Sequence, residues 1–464
     1  MKDLILRAVN EKKTAILGFG REGRSTFRLL RSYYPELPIA VVDSNPALAV
    51  DPLLSADPLI SLRLGEGCMN QLNDFDLIIK APGIPAHAFP EGTDLTKITS
   101  QTSLFLQHFG SQVIGVTGTK GKSTTSSLIH HVLSSAGQHS LLVGNIGVPP
   151  FDCIPEIKRE TIVVMELSSH QLEYLVRSPH IALLLNIFQE HLDHYTSYQD
   201  YQKAKLNIGR FQSAGDYFIY GSDNALLNSL VAGGQLPGQQ LLPFSLQALE
   251  GDGIFRKGKK VMLRISGTEK LLFDASAGIL LPGEHNFSNC MAAAAACYLS
   301  GTTAELTGKG ISSFTGLEHR IEYVGEYNGI KFYNDSIATI PEATIEAVKT
   351  LKTVDTLILG GFDRGIDYSI LYPFLIASEI RNLIFIGEAG ARMKNEVLAY
   401  PLAAFSQYTA ADYAEVVAIA KKVSLHGKIC LLSPAAASYD MFKNFEHRGN
   451  IYKKNVRNDC SPQK

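Results

Sequence analysis

Short apolar runs that end in a glycine or proline turn, each followed by a helix-forming segment, recur along the chain. The first is "KTAILGFGREGRSTFRLLRSYY", and a second set begins near residue 110 with "QVIGVTG". A third set begins near residue 317 and includes "DTLILGG", "NLIFIGEAG" and "GKICLLSPAAAS". Strands that alternate with helices in this order are typical of parallel α/β sheets. The sequence therefore predicts three α/β domains in series, over residues 1–108, 109–316 and 317–464.

Composition and charge narrow the classes of protein that remain. The chain has 464 residues, of which 45% are hydrophobic and 19% charged, and its formal net charge is −2. With no basic block, nothing favours a nucleic-acid partner. The apolar run at the N-terminus is short and interrupted by charges, and no run of about 18 apolar residues occurs, so we expect neither a signal peptide nor a membrane partner.

Cysteine usage points to a reducing compartment. The cysteines lack C-x-x-C spacing, so we expect reduced thiols and a cytoplasmic protein, which we expect to be a monomer. They are Cys68, Cys153, Cys290, Cys297, Cys430 and Cys460. Residues 251–282 alternate short apolar runs with turns and predict antiparallel hairpins added to the second sheet.

A glycine-rich turn, "GVTGTKGKST", connects an apolar strand to a helix in the second domain. Gly118 and Gly121 allow the backbone N–H groups to turn inward, and Lys122 followed by Ser123 suits a terminal phosphate and Mg²⁺. The spacing differs from G-x-x-x-x-G-K-[ST], because Val116 stands where that pattern has glycine. A turn that merely carries surface lysines is the alternative; a nucleoside triphosphate loop of variant form is the better interpretation.

A second glycine pattern lies in the first domain. Gly18, Gly20 and Gly23 follow a strand, and Asp43 lies about twenty residues further on, which is the dinucleotide-binding fingerprint. Read alone, this pattern fits an NAD-dependent enzyme. A different diphosphate could occupy the same helix N-terminus for the same physical reason.

Three polar residues of the second domain are candidates for chemistry. Glu166 follows the strand "TIVVM", and His191 follows the strand "IALLLNI", so both can converge at one edge of a parallel sheet. Taken alone, each is more often simply a polar residue at a strand end. His191 and His194 have a spacing seen in zinc sites, but no third ligand has suitable spacing. Lys205 lies in the polar helix "SYQDYQKAKLNIGRF" and by default is a solvated lysine.

The variant loop resembles the ATP-binding loop of the Mur ligase superfamily, which includes the folylpolyglutamate synthases. Further phrases extend the resemblance over most of the chain: "VGNIGVP", "ELSSHQLE", "LPGEHNFSN", "GLEHRIE", "NDSIATIPEAT", "LGGFDRG" and "LLSPAAASYDMFKNFEHRG". The last is the most specific and is similar to the branch that adds D-glutamate to UDP-N-acetylmuramoyl-L-alanine. The resemblance implies a Rossmann-like first domain for the UDP substrate, a central P-loop ATPase-like domain with a mostly parallel sheet, and a Rossmann-like third domain for the amino acid.

The resemblance also implies a reaction. It is an ATP-dependent amide ligation in peptidoglycan precursor synthesis, in which a carboxylate becomes an acyl phosphate that an amine then attacks. The implied catalytic residues are Lys122, Glu166, His191 and Lys205, with Lys205 carrying a carbamate formed from CO₂. Two Mg²⁺ ions would be bound through Ser123, Glu166, His191 and Lys205. Another amino-acid ligase of the superfamily and a catalytically inactive nucleotide-binding regulator remain alternatives.

Carried over motif by motif, the resemblance assigns three sets of binding residues. The ATP set is Gly118, Thr119, Lys120, Gly121, Lys122, Ser123, Thr124, Asn286, Asn289, Arg320 and Asp335. The UDP-substrate set is Gly20, Arg21, Asp43, Ser44, Asn45, Gly83, Asn145, Ser168, Gln171 and His191. The D-glutamate set is Thr339, Arg364, Ser438, Tyr439 and Phe445.

Two residues depart from the family pattern. Ile337 stands where the family has lysine in N-D-S-K-A-T, which removes a cation near the reacting groups and is the one feature that favours the regulator. Arg364 stands for the lysine after the glycine turn and keeps a cation that can bind a carboxylate through two hydrogen bonds. We therefore expect activity to survive.

Overall fold

The computed structural model describes residues 7–191, 194–236, 238–281, 283–400 and 405–458. The chain divides into two compact units: one extends to Ile279 and takes in Glu284–Phe314, and the other contains Leu280–Gly283 and the residues from Thr315 onward. The first unit contains two sheets and the second contains one, so three α/β sheets follow one another along the chain. The predicted domain boundaries at 108 and 316 stay predictions.

The first sheet is parallel and has five strands in the order β3-β2-β1-β4-β5. The strands are β1 (Thr14–Leu17), β2 (Ile39–Asp43), β3 (Ile60–Leu64), β4 (Leu77–Lys80) and β5 (Ile98–Ser100). Its α-helices are Arg21–Tyr33, Pro52–Ser55 and Gln101–Phe109. Leu17 at the end of β1 pairs with Val42 and Lys80, so the turns after β1, β2 and β4 meet at one edge.

The second sheet has nine strands in the order β14-β13-β12-β11-β10-β9-β6-β8-β7. They are β6 (Val113–Thr117), β7 (Ser140–Gly144), β8 (Ile162–Glu166), β9 (Ile181–Leu184), β10 (Tyr217–Gly221), β11 (Gln240–Ser245), β12 (Gly253–Lys257), β13 (Lys260–Ile265) and β14 (Thr268–Asp274). Strands β12, β13 and β14 are antiparallel, which confirms the predicted hairpins. The helices are Lys122–Ser135, Ser169–Leu172, Tyr198–Arg210, Ala225–Ala232, Glu284–Leu299 and Ala304–Ser313.

The third sheet forms the core of the second unit, with strand order β15-β16-β20-β17-β18-β19. The strands are β15 (Glu322–Tyr327), β16 (Ile330–Asn334), β17 (Val354–Gly360), β18 (Asn382–Ile386), β19 (Ser406–Ala410) and β20 (Ile429–Leu432). All pairs are parallel except β15 with β16. The helices are Pro341–Leu351, Leu371–Ala377, Gly387–Val397, Tyr413–Val423 and Phe445–Asn458.

Two further expectations concern cysteines and membranes. Five cysteines are free thiols, as predicted, namely Cys68, Cys153, Cys290, Cys297 and Cys430, whereas Cys460 lies outside the described residues. In the described part of the chain, no helix combines the length and apolar character that a membrane crossing requires.

Candidate active site

The carboxyl edge of the second sheet gathers the ends of three neighbouring strands. Strand β6 lies between β8 and β9, with Val116 paired to Glu166 and Thr117 paired to Leu184. Gly144, at the end of β7, also pairs with Glu166. The phosphate loop after β6 and the carboxylate that ends β8 therefore lie side by side. In open α/β sheets, this edge is where ligands bind.

The phosphate loop has a backbone shape that requires its glycines. Gly118 and Gly121 have φ angles of +157° and +87°, and a Cβ on Gly121 would lie 2.6 Å from Oδ1 of Asn289. The Nζ of Lys122 donates to the carbonyl oxygens of Gly118 (2.9 Å) and Thr119 (3.1 Å). Because helix Lys122–Ser135 begins at this point, the N–H groups of its first turn and Lys122 are of a kind that suits an anion.

Other predicted loop residues have clear positions. Lys120 donates through its backbone N–H to Oδ1 of Asn186 at 2.8 Å, and its ammonium pairs with Glu190. Ser123 and Thr124 are half-buried in the first turn of the helix, beside Lys122. The loop is thus fixed by the segment that follows β9.

Helix Tyr198–Arg210 buries a lysine against the phosphate loop. The Nζ of Lys205 donates to the carbonyl oxygen of Gly118 at 2.9 Å, and the Tyr201 hydroxyl lies 2.8 Å from Oγ1 of Thr119. Lys205 is 1% exposed, so the interpretation of this residue as a solvated lysine is wrong. Burial, reinforced by the neighbouring Lys122 ammonium, holds the pKa of Lys205 well below its usual range. A neutral amine, the form that reacts with CO₂, is therefore favoured there.

Glu166 has an open acceptor. Its side chain is 1% exposed, and Oε1 accepts a hydrogen bond from Nδ2 of Asn145 at 2.7 Å. Oε2 is buried and has no hydrogen-bond partner among the described residues. A buried carboxylate oxygen without a donor is costly unless a cation binds it. With the Ser123 hydroxyl on the adjoining loop, the donors here are the oxygens that Mg²⁺ prefers.

His191 is exposed and lies beside two further imidazoles, the half-buried His170 and the buried His194. Its φ is +58°, and its ring centroid lies 5.0 Å from that of His170, which in turn lies 3.8 Å from that of His194. Burial, with the neighbouring imidazoles, lowers the pKa of His170 to about 3, so this ring is neutral. Nε2 of His194 lies 2.7 Å from Glu173, which also pairs with buried Lys80 at 3.3 Å. His194 is thus already engaged by a carboxylate.

The predicted UDP-substrate residues of the first sheet surround the turns after β1, β2 and β4. Asp43 accepts hydrogen bonds from the backbone N–H of Phe19 (2.7 Å) and of Asn45 (2.8 Å), which ties two of these turns together. A Cβ on Gly18 would lie 2.8 Å from the Cβ of Ala81, so the third turn packs against the first. The remaining members, Gly20, Ser44 and Gly83, are exposed on these turns.

Two residues of helix Arg21–Tyr33 reach the second sheet. The Arg21 guanidinium donates to the carbonyl oxygens of Gly144 (3.0 Å) and Asn145 (3.2 Å). Oε1 of Glu22 accepts from Nε2 of Gln171 at 2.7 Å, and Oε1 of Gln171 accepts from the backbone N–H of Ser168 at 3.0 Å. The structure therefore brings the Asn145, Ser168 and Gln171 set to the first sheet. Burial raises the pKa of Glu22, a residue inside "GFGREG" that sequence reasoning missed.

In the second unit, a buried arginine contacts three turns that carry predicted D-glutamate residues. Arg448 is 1% exposed, and its guanidinium donates to the carbonyl oxygens of Ser336 (2.7 Å) and Ala437 (3.0 Å). A Cβ on Gly361 would lie 2.9 Å from its Nη1. The three turns around Arg448 carry Thr339, Arg364 and Ser438. Arg448 lies in the phrase "NFEHRG" and was not among the predicted site residues.

The side chains of this group differ in exposure. Nη2 of Arg364 donates to the carbonyl oxygen of Thr339 at 3.1 Å. Ser438 is buried, Phe445 is half-buried, and Tyr439 is 67% exposed. Ile337 is half-buried, and its backbone N–H donates to the carbonyl oxygen of His319.

The remaining predicted ATP residues fall in both units. Asn286 and Asn289 lie on helix Glu284–Leu299, and Asn289 contacts the phosphate loop at Gly121. Arg320 and Asp335 lie in the second unit. The Asp335 carboxylate accepts a hydrogen bond from the Ser433 hydroxyl at 2.8 Å, and burial raises its pKa to about 7.

Comparisons with known proteins agree with this arrangement. Residues 116–297 match the Mur ligase middle domain. A UDP-N-acetylmuramoylalanine–D-glutamate ligase of Symbiobacterium thermophilum is 38% identical over 85% of this chain and 86% of its own length. One of Acetivibrio thermocellus is 34% identical over 97% of both chains. The solved UDP-N-acetylmuramate-alanine ligase of Thermotoga maritima, 17% identical, aligns over 97% of this chain and 100% of its own with a TM-score of 0.52.

The three mostly parallel α/β sheets and the match to the Mur ligase middle domain define an α/β protein with the Mur ligase fold. With relatives this similar over nearly its whole length, the chain belongs to the UDP-N-acetylmuramoylalanine–D-glutamate ligase family, a branch of the Mur ligases. The resemblance, the fold class and the enzyme class predicted from the sequence are thereby confirmed: this is an ATP-dependent ligase of peptidoglycan synthesis.

Proposed function

We propose that this ligase joins the carboxylate of UDP-N-acetylmuramoyl-L-alanine to the amino group of D-glutamate, while ATP is cleaved to ADP and phosphate. The observation that carries the proposal is the phosphate loop, where Lys122 and the buried amine of Lys205 converge on the carbonyl oxygen of Gly118. The Lys122 ammonium beside a helix N-terminus suits a polyphosphate. The names of the relatives support the two substrates.

The donor set supports Mg²⁺ and a carbamate. We propose that Ser123, Glu166, His191 and Lys205 hold the metal ions, since the open Oε2 of Glu166 fits a cation. Bound Mg²⁺ would offset the charge repulsion between the phosphates and the attacking carboxylate. A carbamate on Lys205 would place anionic oxygens beside the Lys122 ammonium, which would offset their charge.

The chain's own groups then have defined tasks. Lys122 and the first N–H groups of its helix hold the γ-phosphate while the muramoyl-alanine carboxylate attacks the phosphorus and ADP leaves. The resulting acyl phosphate is attacked by the amine of D-glutamate. The new C–N bond forms, the C–O bond to phosphate breaks, and the amine proton passes to solvent. Neutral His170, packed beside His191, adds no positive charge to this region.

The UDP substrate and D-glutamate would be bound by separate sets of residues. The diphosphate of the UDP substrate would lie at the N-terminus of helix Arg21–Tyr33, near Gly20 and Gly83, with the uridine near Asp43, Ser44 and Asn45. Asn145, Ser168, Gln171 and His191 would face the muramoyl-alanine part. In the second unit, Arg364 would bind a D-glutamate carboxylate, with Thr339, Ser438, Tyr439 and Phe445 around it.

Product identification tests the proposal. The enzyme is incubated with ATP, Mg²⁺ and UDP-N-acetylmuramoyl-L-alanine. D-glutamate, L-glutamate, D-aspartate or L-lysine is added in separate reactions, and the mass of the UDP-linked product is measured by mass spectrometry. We expect a gain of one glutamyl residue with D-glutamate alone. A product with another amino acid would keep the ligase and change the substrate. No product in any combination would contradict the proposal, and Ile337→Lys would then be the first variant to assay.

A further inference from the structure

One guanidinium closes the turn that carries Arg364. Arg392 donates from Nε to Oδ2 of Asp363 at 2.6 Å and from Nη2 to Oδ1 of the same carboxylate at 2.9 Å. Nη2 also donates to the carbonyl oxygen of Ile366 at 2.7 Å. Arg392 therefore holds the turn on both sides of Arg364, through a paired arrangement that fixes direction as well as distance.

Arg392 is itself held in place by a rigid element. It lies on helix Gly387–Val397, and its Nη1 donates to Oε1 of Glu396, one helical turn away, at 3.0 Å. The other oxygen of Glu396 accepts from the hydroxyl of Tyr372 at 2.5 Å. The guanidinium carbon lies 4.6 Å from the ring centroid of Tyr368, a buried side chain. Its hydrogen bonds to Asp363 raise the pKa of Arg392 above the usual value.

Two further hydrogen bonds are made by residues of the turn itself. The backbone N–H of Gly365, whose φ is +71°, donates to Oδ1 of Asp363 at 2.8 Å. Arg364 is exposed, and its Nη2 reaches the carbonyl oxygen of Thr339 at 3.1 Å. The direction in which Arg364 points thus depends on the carboxylate and carbonyl that Arg392 holds.

We propose that Arg392 is a positioning residue, which holds the turn of Asp363–Ile366 so that Arg364 is ready for the D-glutamate carboxylate. This inference rests on the proposed function. Without Arg392, the turn would adopt its binding-competent shape only part of the time. The apparent affinity for D-glutamate would then be the intrinsic affinity multiplied by the fraction of molecules in that shape. Saturating D-glutamate would restore the bound shape. The expected signature is a raised KM for D-glutamate with little change in kcat.

The test compares two variants of the same helix. Arg392→Gln removes the paired hydrogen bonds, and we expect the KM for D-glutamate to rise roughly tenfold. We expect kcat and the KM for ATP to stay within about twofold. Lys394→Gln is the control, because it removes the same charge from the same helix but breaks an exposed hydrogen bond, from Nζ to Thr409 at 2.7 Å. It should leave kcat and the KM values for D-glutamate and ATP unchanged. Arg392→Lys should be intermediate, since an ammonium cannot form the paired bonds.

A second readout does not depend on D-glutamate. Trypsin cleaves after Arg364, and a turn released by Arg392→Gln should be cut there faster than in the wild type or in Lys394→Gln. An unchanged cleavage rate would overturn the claim that Arg392 holds the turn. Faster cleavage with an unchanged KM for D-glutamate would overturn the positioning role. If Arg392→Gln is cleaved faster but the wild-type enzyme does not accept D-glutamate as a substrate, the claim that Arg392 holds the turn stands and the proposed function is contradicted.

Discussion

Replacing Glu166 by glutamine tests whether its buried carboxylate is kept for a metal ion. Oε1 is satisfied by Asn145 at 2.7 Å, whereas Oε2 is buried without a hydrogen-bond partner in the described part of the chain. A buried polar atom left in this state costs about 1 to 3 kcal/mol, more when charged. A neutral amide lowers this cost. We therefore expect Glu166→Gln to raise the free energy of unfolding by about 1 kcal/mol in EDTA.

Binding of Mg²⁺-ATP should make the wild type more stable than Glu166→Gln, the reverse of the order expected in EDTA. At a Mg²⁺-ATP concentration about 100 times its Kd, the wild type gains about 2.7 kcal/mol from binding. If loss of the carboxylate weakens binding about 100-fold, the variant gains only about 0.4 kcal/mol at the same concentration. The wild type should then be more stable than the variant by roughly 1 kcal/mol.

Urea unfolding followed by circular dichroism measures both states, because the chain contains no tryptophan for fluorescence. Glu173→Gln is the control, since both of its oxygens are engaged, by Lys80 at 3.3 Å and by His194 at 2.7 Å. That variant should lose about 3 kcal/mol of stability in EDTA and keep the full gain from Mg²⁺-ATP. A Glu166→Gln variant that is destabilised in EDTA, or that keeps the full ligand gain, would refute the reasoning.

Three further predictions follow from the described contacts. Lys205→Ala should lower the rate of phosphate release about 100-fold, with partial recovery on adding short carboxylates, and full activity would exclude the carbamate. Tyr201→Phe removes a buried hydrogen bond worth about 1 kcal/mol, so the KM for ATP should rise about fivefold, while Tyr198→Phe on the same helix should not change it. Burial raises the pKa of Asp335 to about 7, from about 4 in the unfolded chain, so the folded state binds the extra proton between these values and loses stability as pH rises through them. Asp335→Asn should therefore need more urea than the wild type to unfold at about pH 8, but not at about pH 4.

The interior strands of the second sheet could be predicted from the sequence. Strands β6, β8 and β9 are buried on both faces, so each is a continuous apolar run. The edge strands β15 and β19 of the third sheet were not predicted. Many of their residues are polar and partly exposed, for example Glu322 and Ser406, so neither strand is a continuous apolar run.

The candidate site was predictable only in part. The glycines of the phosphate loop leave a local pattern, because positive φ angles and close approach exclude other residues. The burial of Lys205 leaves none, since its helix is polar and only packing against the loop removes water from the amine. The pair formed by Glu22 and Gln171 joins positions 149 apart in the chain. Contacts of this kind follow from the tertiary fold and not from spacing.

Transfer of isotope from the carboxylate tests the central claim most directly. UDP-N-acetylmuramoyl-L-alanine carrying ¹⁸O in both carboxylate oxygens is turned over with ATP, Mg²⁺ and D-glutamate, and the released phosphate is analysed by mass spectrometry. If the loop around Lys122 holds ATP for attack by that carboxylate, each phosphate carries one ¹⁸O and the new amide keeps the other. Phosphate without label, released together with the glutamyl product, would show that the carboxylate is never phosphorylated and would contradict this account.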